Sequence, residues 1–310
     1  MTTSNSLFFR SIRLRYAQFS KMMYYLTRNP LSTAGLAITL LYVLVAVFGP
    51  VIVGGNPEFM REVLLYHGKY IYNTPLPPQP AFPFGTTYGG YDIFNGVVKG
   101  ARIDLGVSAL VVFSGAIIGS ILGAIAGYKG GTISDVIMRV TDIFLSIPFI
   151  VLAVVLLLVL GRTLTSMVEA LVIVWWPFYT RLVRGQVLTI REQKYVEASV
   201  ASGGSSIRTV VKHILPNSIY PIYVQISLDF GNVILTLASL DFLGFGFAGN
   251  NLAEWGNIIG LATSGGGGVE TLTNYWWTIL IPGLVLLVLV VALNILGDGI
   301  RDVTDPKSRL

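Results

Sequence analysis

The 310 residues are 53% hydrophobic and only 12% charged, with a mean hydropathy of +0.70. A soluble domain carries about a quarter charged residues, so this chain cannot cover a water-facing surface and lipid must stand against it. Cysteine is absent, which excludes disulfides, thiolate metal sites and thiol nucleophiles, and the two histidines, His67 and His213, lie far apart in sequence. The net charge of +5 raises nucleic acid as a partner, but the placement of the charges decides that question.

Residues 1–30 form an N-terminal segment in which Arg10, Arg13, Lys21 and Arg28 stand among aromatic residues. Over 10–28 the pattern predicts a helix lying on the membrane surface against acidic lipid. No A-x-A-like site accompanies the first hydrophobic run, so a cleaved signal peptide is not expected. A span needs roughly 20 apolar residues, because the hydrocarbon core is about 30 Å thick. Residues 29–57 carry no charge, and 31–53 supply a first span, strongest over 34–53.

Residues 54–104 read as a long loop in which LPPQPAFP, 76–83, can continue neither a helix nor a central strand. Ile93, Phe94, Val97, Val98 and Ala101 recur at helical spacing, predicting an amphipathic piece over 91–103 that lies along the interface. The charge-free run 105–128, rich in small residues, gives a second span. Residues 143–161, interrupted by Pro148, give a third; 163–180, with Glu169 inside, a fourth. Residues 219–243 give a fifth, carrying Asp229 and Asp241, and 275–297 a sixth. The core thus runs over 105–300, with a polar loop at 185–217 and a tail at 301–310. Loop 244–274 is Gly-rich, with the run Gly265–Gly268, and holds acids but no Lys or Arg. Trp255, Trp276 and Trp277 read as interface anchors.

Six spans put both termini on one side. With that side cytoplasmic, all Lys and Arg except Arg61, Lys69, Lys99, Arg102 and Arg162 fall inside. The basic balance is this asymmetry, so nucleic acid is not expected as a partner. On the cytoplasmic side Asp135 and Asp142 bracket Arg139 as structural pairs, and Asp298-Gly299 reads as a turn after the last span.

In the most basic loop stands YVEASVASGGSSIRTVVKHILPN, 195–217. Residues 191–202 favour helix, with Glu192 and Glu197 placed to pair with Arg191 and Lys194. Gly203-Gly204 ends it, and Ser205 or Ser206 caps a second helix. There Ile207, Val210, Val211 and Ile214 share one face, and Pro216 stops the run before the fifth span. A surface linker and a docking element both fit this pattern.

Glu197-Ala198-Ser199, Gly203 and Leu215-Pro216 resemble the EAA signature of ABC-importer permeases, with Ser199 in place of the second Ala. His213 before Ile-Leu-Pro-Asn is similar to the dipeptide/oligopeptide branch. Further blocks resemble that branch in the same order: FGTTYGGYDIFNGVVKGARIDLGV (84–107, with Thr87 and Tyr91 departing), GYKGGTISDVIMRVTDIFLSIP (127–148), WPFYTRLVRGQVLTIREQKYVEAS (176–199), SLDFLGFG with EWGNII (239–259) and NILGDGIRDVTDP (294–306). The chain therefore resembles the C-type permease subunit of a dipeptide/oligopeptide/nickel ABC importer.

The resemblance implies an all-α integral membrane protein of six transmembrane helices with the type I importer permease fold, placed in the cell membrane. Implied partners are a homologous second permease subunit, two P-loop ATPase subunits that bind ATP and Mg, and an extracytoplasmic substrate-binding protein; this chain itself would hold no cofactor. ATPase coupling falls on Tyr195, Glu197, Ala198, Ser199, Gly203, Leu215 and Pro216. Dipeptides or oligopeptides are the implied cargo, with oligosaccharides or nickel chelates as the alternatives.

An ionisable group within a span is by default a functional suspect. Asp229, with Gln225 and Asn232 at helical spacing, makes a polar stripe that reads either as a translocation-path lining or as a contact with a partner helix. Asp241, where the family usually has Ser or another small residue, has no assigned role. No G-x-x-x-x-G-K-[ST], G-x-S-x-G or HExxH pattern occurs, so ATP binding and hydrolytic chemistry are not expected of this chain. A secondary transporter working without ATPases is the remote alternative, and a membrane enzyme ranks behind it.

Overall fold

The structure is a computed structural model that describes residues 20, 23–247, 251–264 and 273–304. The surface helix expected over 10–28 lies largely outside the described residues, the Gly265–Gly268 run wholly so, and of the tail only 301–304 are described.

Helix α1 (Pro30–Val53) begins where Asn29 accepts the amide of Leu31 and Pro30 occupies the first turn. Its Leu40, Leu41, Leu44, Val47 and Phe48 face outward, as lipid contact requires. A loop follows that contains a two-stranded hairpin, β1 (Leu65–Tyr66) with β2 (Lys69–Tyr70), a small departure from an all-helical chain.

Helix α2 (Ile93–Lys129) runs for 37 residues, about 55 Å at the α-helical rise. The piece expected along the interface over 91–103 is instead the first three turns of this helix. Ile93, Val97 and Ala101 are buried, and the charges that seemed to end the span are met by the protein. Lys99 donates to Phe59 O at 3.0 Å, and Asp104 accepts the Trp255 amide at 3.3 Å.

Helices α3 (Gly131–Ser146) and α4 (Phe149–Leu160) meet at Pro148 with a bend of 91°. Helix α5 (Leu164–Arg191) returns along α2. The small residues of the second span explain that seam. Gly115, Gly119, Gly123 and Gly127 recur every fourth residue, facing Trp175, Tyr179, Val183 and Val187 of α5 in register. A Cβ on Gly123 would stand 2.6 Å from Thr180 O and 2.9 Å from Val183 Cβ. Small residues at four-residue spacing let two helix backbones approach where lipid offers no hydrophobic drive.

After α5 come α6 (Lys194–Ala201), α7 (Ser206–Thr209), a π-helical turn over Val210–Ile214, and α8 (Leu215–Phe242). Helix α9 (Trp255–Ser264) and α10 (Trp277–Thr304) complete the fold. The backbone is helical from Ser206 through Phe242, so Pro216 does not stop the run. Proline lacks an N–H and its ring collides with the carbonyl four residues back. The π-turn just ahead absorbs this, with the Leu215 amide bonding Val210 O five residues back.

Asp298-Gly299 is also helical, and Gly299 sits where Ser32 of α1 packs against α10. Asp142 pairs with Arg181 of α5 instead of Arg139. Trp255 is fully buried with its indole N–H on Val97 O at 3.0 Å, a core residue and not an interface anchor; Trp277 is buried and Trp276 exposed.

Among the described residues, four helices are long and apolar enough to cross a membrane: α1, α2, α8 from Pro221, and α10 to Val303. The bent pair α3–α4 makes a fifth if it acts as one span. Helix α5, the fourth span expected from the sequence, has the length at 28 residues but carries Glu169, Arg181, Arg184 and Arg191.

Candidate functional site

One end of the bundle carries a corner built from α6, Gly203-Gly204 and α7. Its attachment is buried while its outer surface is bare. Val196 is buried at 1% exposure, as are Thr209 and Ile214 at 0%. Glu197 and Ala198 are exposed, Ser199 is half-buried, and Tyr195, Val200, Ile207 and Val211 are exposed apolar groups. Of the four residues expected to share an apolar face, Ile214 alone is buried; Val210 is half-buried and Ile207 is 79% exposed. Leu215 is half-buried and Pro216 exposed, on the helix that leaves the corner.

Gly203 takes φ +79°, a left-handed conformation that glycine reaches without a Cβ penalty. The Gly203 amide closes on Val200 O and the Gly204 amide on Ser199 O, each at 3.0 Å. Ser205 then caps α7 by accepting the Arg208 amide at 3.4 Å. A short helix, a closed glycine turn and a capped restart leave few soft dihedrals between α5 and α8.

Three arginines of α5, the helix that leads into the corner, tie it to α2 and α3. Arg191 donates to the carbonyls of Gly127 (3.3 Å) and Tyr128 (3.1 Å) at the C-terminal end of α2, where free carbonyls favour a cation. Arg184 donates to Ser134 Oγ at 3.2 Å, and Arg181 pairs with Asp142. Sequence reasoning counted Arg181 and Arg184 only for topology and set Arg191 beside Glu192 and Glu197; in the fold the Arg191 guanidinium goes to the α2 carbonyls. Between the start of α3 and the corner lies an open cleft of about 950 Å³, lined by Tyr128, Ile133, Arg191, Glu197 and Val200 among others.

The second predicted group sits midway along α8. Gln225 Nε2 donates to Asp229 Oδ1 at 2.9 Å and Asn232 Nδ2 to the same oxygen at 3.5 Å, so the stripe is one cluster. Asp229 is only 4% exposed and faces α5, where Tyr179 and Trp175 stand beside it. The Tyr179 hydroxyl and Asp229 Oδ2 interact without closing a hydrogen bond of standard geometry. Gln225 is half-buried and Asn232 exposed, so the open edge of the cluster is its amides. Tyr179 is the member that sequence reasoning missed, since nothing local links residue 179 to 229.

A multi-pass helical bundle with an exposed helix–glycine–helix corner is the build of a membrane transport subunit. Residues 119–310 match the family described as "Binding-protein-dependent transport system inner membrane component", and 18–77 match the "N-terminal TM domain of oligopeptide transport permease C". The chain belongs to this family of ABC transporter permeases and is a multi-pass component of the cell membrane.

Among its relatives, the probable D,D-dipeptide transport system permease protein DdpC of Escherichia coli is 37% identical over 289 residues, spanning 93% of this chain and 92% of that protein. The dipeptide transport system permease protein DppC of Alkalihalophilus pseudofirmus is 37% identical over 92% of this chain and 88% of its own. The fold is similar to that of a chain in inward-facing crystals of the MetNI methionine ABC transporter, with a TM-score of 0.54 at 22% identity, covering 68% of this chain and 97% of that one.

Proposed function

We propose that this chain is the non-catalytic permease half of a heteromeric importer, moving dipeptides or oligopeptides handed over by an external substrate-binding protein. The named roles of the relatives support the peptide assignment. In this reading six spans place both termini in the cytoplasm, with α5 as the span that the arginines disguise. The concentration of Lys and Arg in the corner loop and tails supports that orientation. A homologous second permease completes the channel, and two P-loop ATPases bind ATP and Mg, so this chain carries no cofactor.

The observation that carries the mechanism is the corner itself, anchored by Val196 and Ile214 yet bare at Tyr195, Val200, Ile207 and Val211. Tyr195, Glu197, Ala198, Ser199 and Gly203 dock on the ATPase, while Leu215 and Pro216 carry the motion into α8. ATP closes the ATPase pair and thereby favours one arrangement of the corner, which shifts the equilibrium between inward- and outward-open states. The Gln225–Asp229–Asn232 cluster lines the translocation path through its amide edge.

Gly203→Pro and Glu197→Lys test this in complexes reconstituted with their ATPases. Proline cannot take positive φ and loses the amide bonded to Val200 O. Both variants should insert normally yet lose transport-stimulated ATP hydrolysis; normal stimulation in both would overturn the docking assignment. Uptake of labelled dipeptide by the same vesicles tests the cargo separately. Transport of an oligosaccharide or a nickel chelate in its place would overturn the peptide assignment alone.

A further inference from the structure

At the end of the bundle opposite the corner, three carboxyl groups from three elements meet away from solvent. Asp104 lies at the start of the fourth turn of α2, Asp241 in the last turn of α8, and Glu254 caps α9. Their exposures are 0%, 7% and 0%. Glu254 interacts directly with both aspartates, so the cluster is a chain with the glutamate in the middle.

The backbone amides here are already committed. Glu254 accepts those of Gly256 (2.9 Å) and Asn257 (2.6 Å), Asp104 Oδ2 accepts that of Trp255 (3.3 Å), and Asp241 Oδ1 accepts that of Phe247 (3.0 Å). Asp104 Oδ1 and Asp241 Oδ2 remain, each buried without a donor. A buried acceptor with no partner is costly, and two carboxylates cannot hydrogen-bond each other without a proton between them.

Charge compensation from the neighbouring elements is small. Arg162, on the α4–α5 connection, acts on Asp241 but is itself exposed and donates to Gly246 O. Lys99 of α2 spends its ammonium on Phe59 O, and Tyr42 of α1 directs its hydroxyl to Val285 O of α10. Among the described residues, no group of three or more His, Cys, Asp or Glu is arranged to hold a metal ion.

We propose that Asp104, Glu254 and Asp241 form a proton-binding site that holds two shared protons and so ties α9 to α2 and α8. The protons belong to the cluster as a unit, not to fixed residues. Burial, and then the negative charge of Asp104, push the Glu254 carboxyl well above the ordinary glutamate range. The folded chain therefore holds more protons than the unfolded one at every pH between the ordinary carboxylate range and that raised value. Across that window stability falls as pH rises. Losing the protons sets like charges against one another beneath the loop that the Met60 amide on Asn251 O and the Ala253 amide on Glu58 O hold together, and loosens that end of the bundle.

The test uses the full chain in its assembled complex, in lipid nanodiscs. The double variant Asp104→Asn/Asp241→Asn keeps size and places amide donors where the protons stood. Wild type should show a protonated-carboxyl C=O infrared band at neutral pH and a melting midpoint that drops toward alkaline pH. In the double variant the part of the band that titrates with the melting midpoint should be lost, and the midpoint should become flat with pH. An unchanged pH dependence in the double variant overturns the proposal. Should that variant fail to assemble, the band is read in an Asp229→Asn background, which removes the buried acid of α8 outside the cluster; the one remaining among the described residues, Asp92, is paired with Arg61. Persistence of the band there, titrating with the melting midpoint, supports the site, and its absence overturns it.

Discussion

Tyr179 and Asp229 show how a single atom can sit in a polar cluster without holding it together. The Tyr179 hydroxyl is buried beside Asp229 and lacks a hydrogen bond of standard geometry, so the ring supplies most of its packing. Tyr179→Phe should shift unfolding by less than about 1 kcal/mol, because no completed bond is lost. A calorimetric drop of several kcal/mol would mean that the hydroxyl is bonded. Asp229 differs, since the amides of Gln225 and Asn232 both converge on its Oδ1. The stripe was legible from spacing along α8, but its burial against α5 was not: helical periodicity tells which residues share a face, and says nothing of what that face meets.

Among the elements, the α2–α5 seam depends most on residue size. Gly115, Gly119, Gly123 and Gly127 let the two backbones touch, and a side chain at any of them has to displace α5. Gly123→Leu should cost about 3 kcal/mol or more, at the upper end for overpacking, because the clash is with backbone as well as side chain. Thermal melting and the yield of monodisperse protein would report it, and a melting midpoint within a degree of wild type would refute the seam. The four-residue repeat of glycines was in the sequence all along as a signal for close helix contact. Which helix it would meet was not, because α5 begins some forty residues after the last of these glycines.

The corner belongs to this scale too. Its glycine break and serine cap were readable, since both act within a few residues of themselves. Pro216, expected to end the helix, was misread because a π-turn can relieve the clash of a proline and keep the chain helical.

Across the whole molecule, the loop between α1 and α2 acts as a fitted cap. Met60 N bonds Asn251 O at 2.8 Å, Ala253 N bonds Glu58 O at 2.9 Å, and Arg61 pairs with Asp92 at 2.6 Å. Trp277 donates to Thr86 O at 3.3 Å, bringing α10 into the same cap. Lys99, 2% exposed, pins Phe59 from below. Lys99→Met should leave the bundle intact but strip the Phe59 carbonyl of its partner, a loss of about 1–3 kcal/mol. Limited proteolysis would then cut faster within 54–64, and an unchanged cleavage rate would show that the cap holds without it.

Apolar run length, glycine and proline placement, and the bias of Lys and Arg are local properties, and they alone pointed to a multi-span membrane protein with a polar corner; that it is a permease subunit came from the motif resemblance. The tertiary structure decided where charged residues end a helix and where they do not. Asp104 looked like the edge of a span because its partners, Glu254 and the Trp255 amide, stand about 150 residues away in sequence. Burying a charge is unfavourable until a partner or a proton meets it, and folding is what brings that partner close.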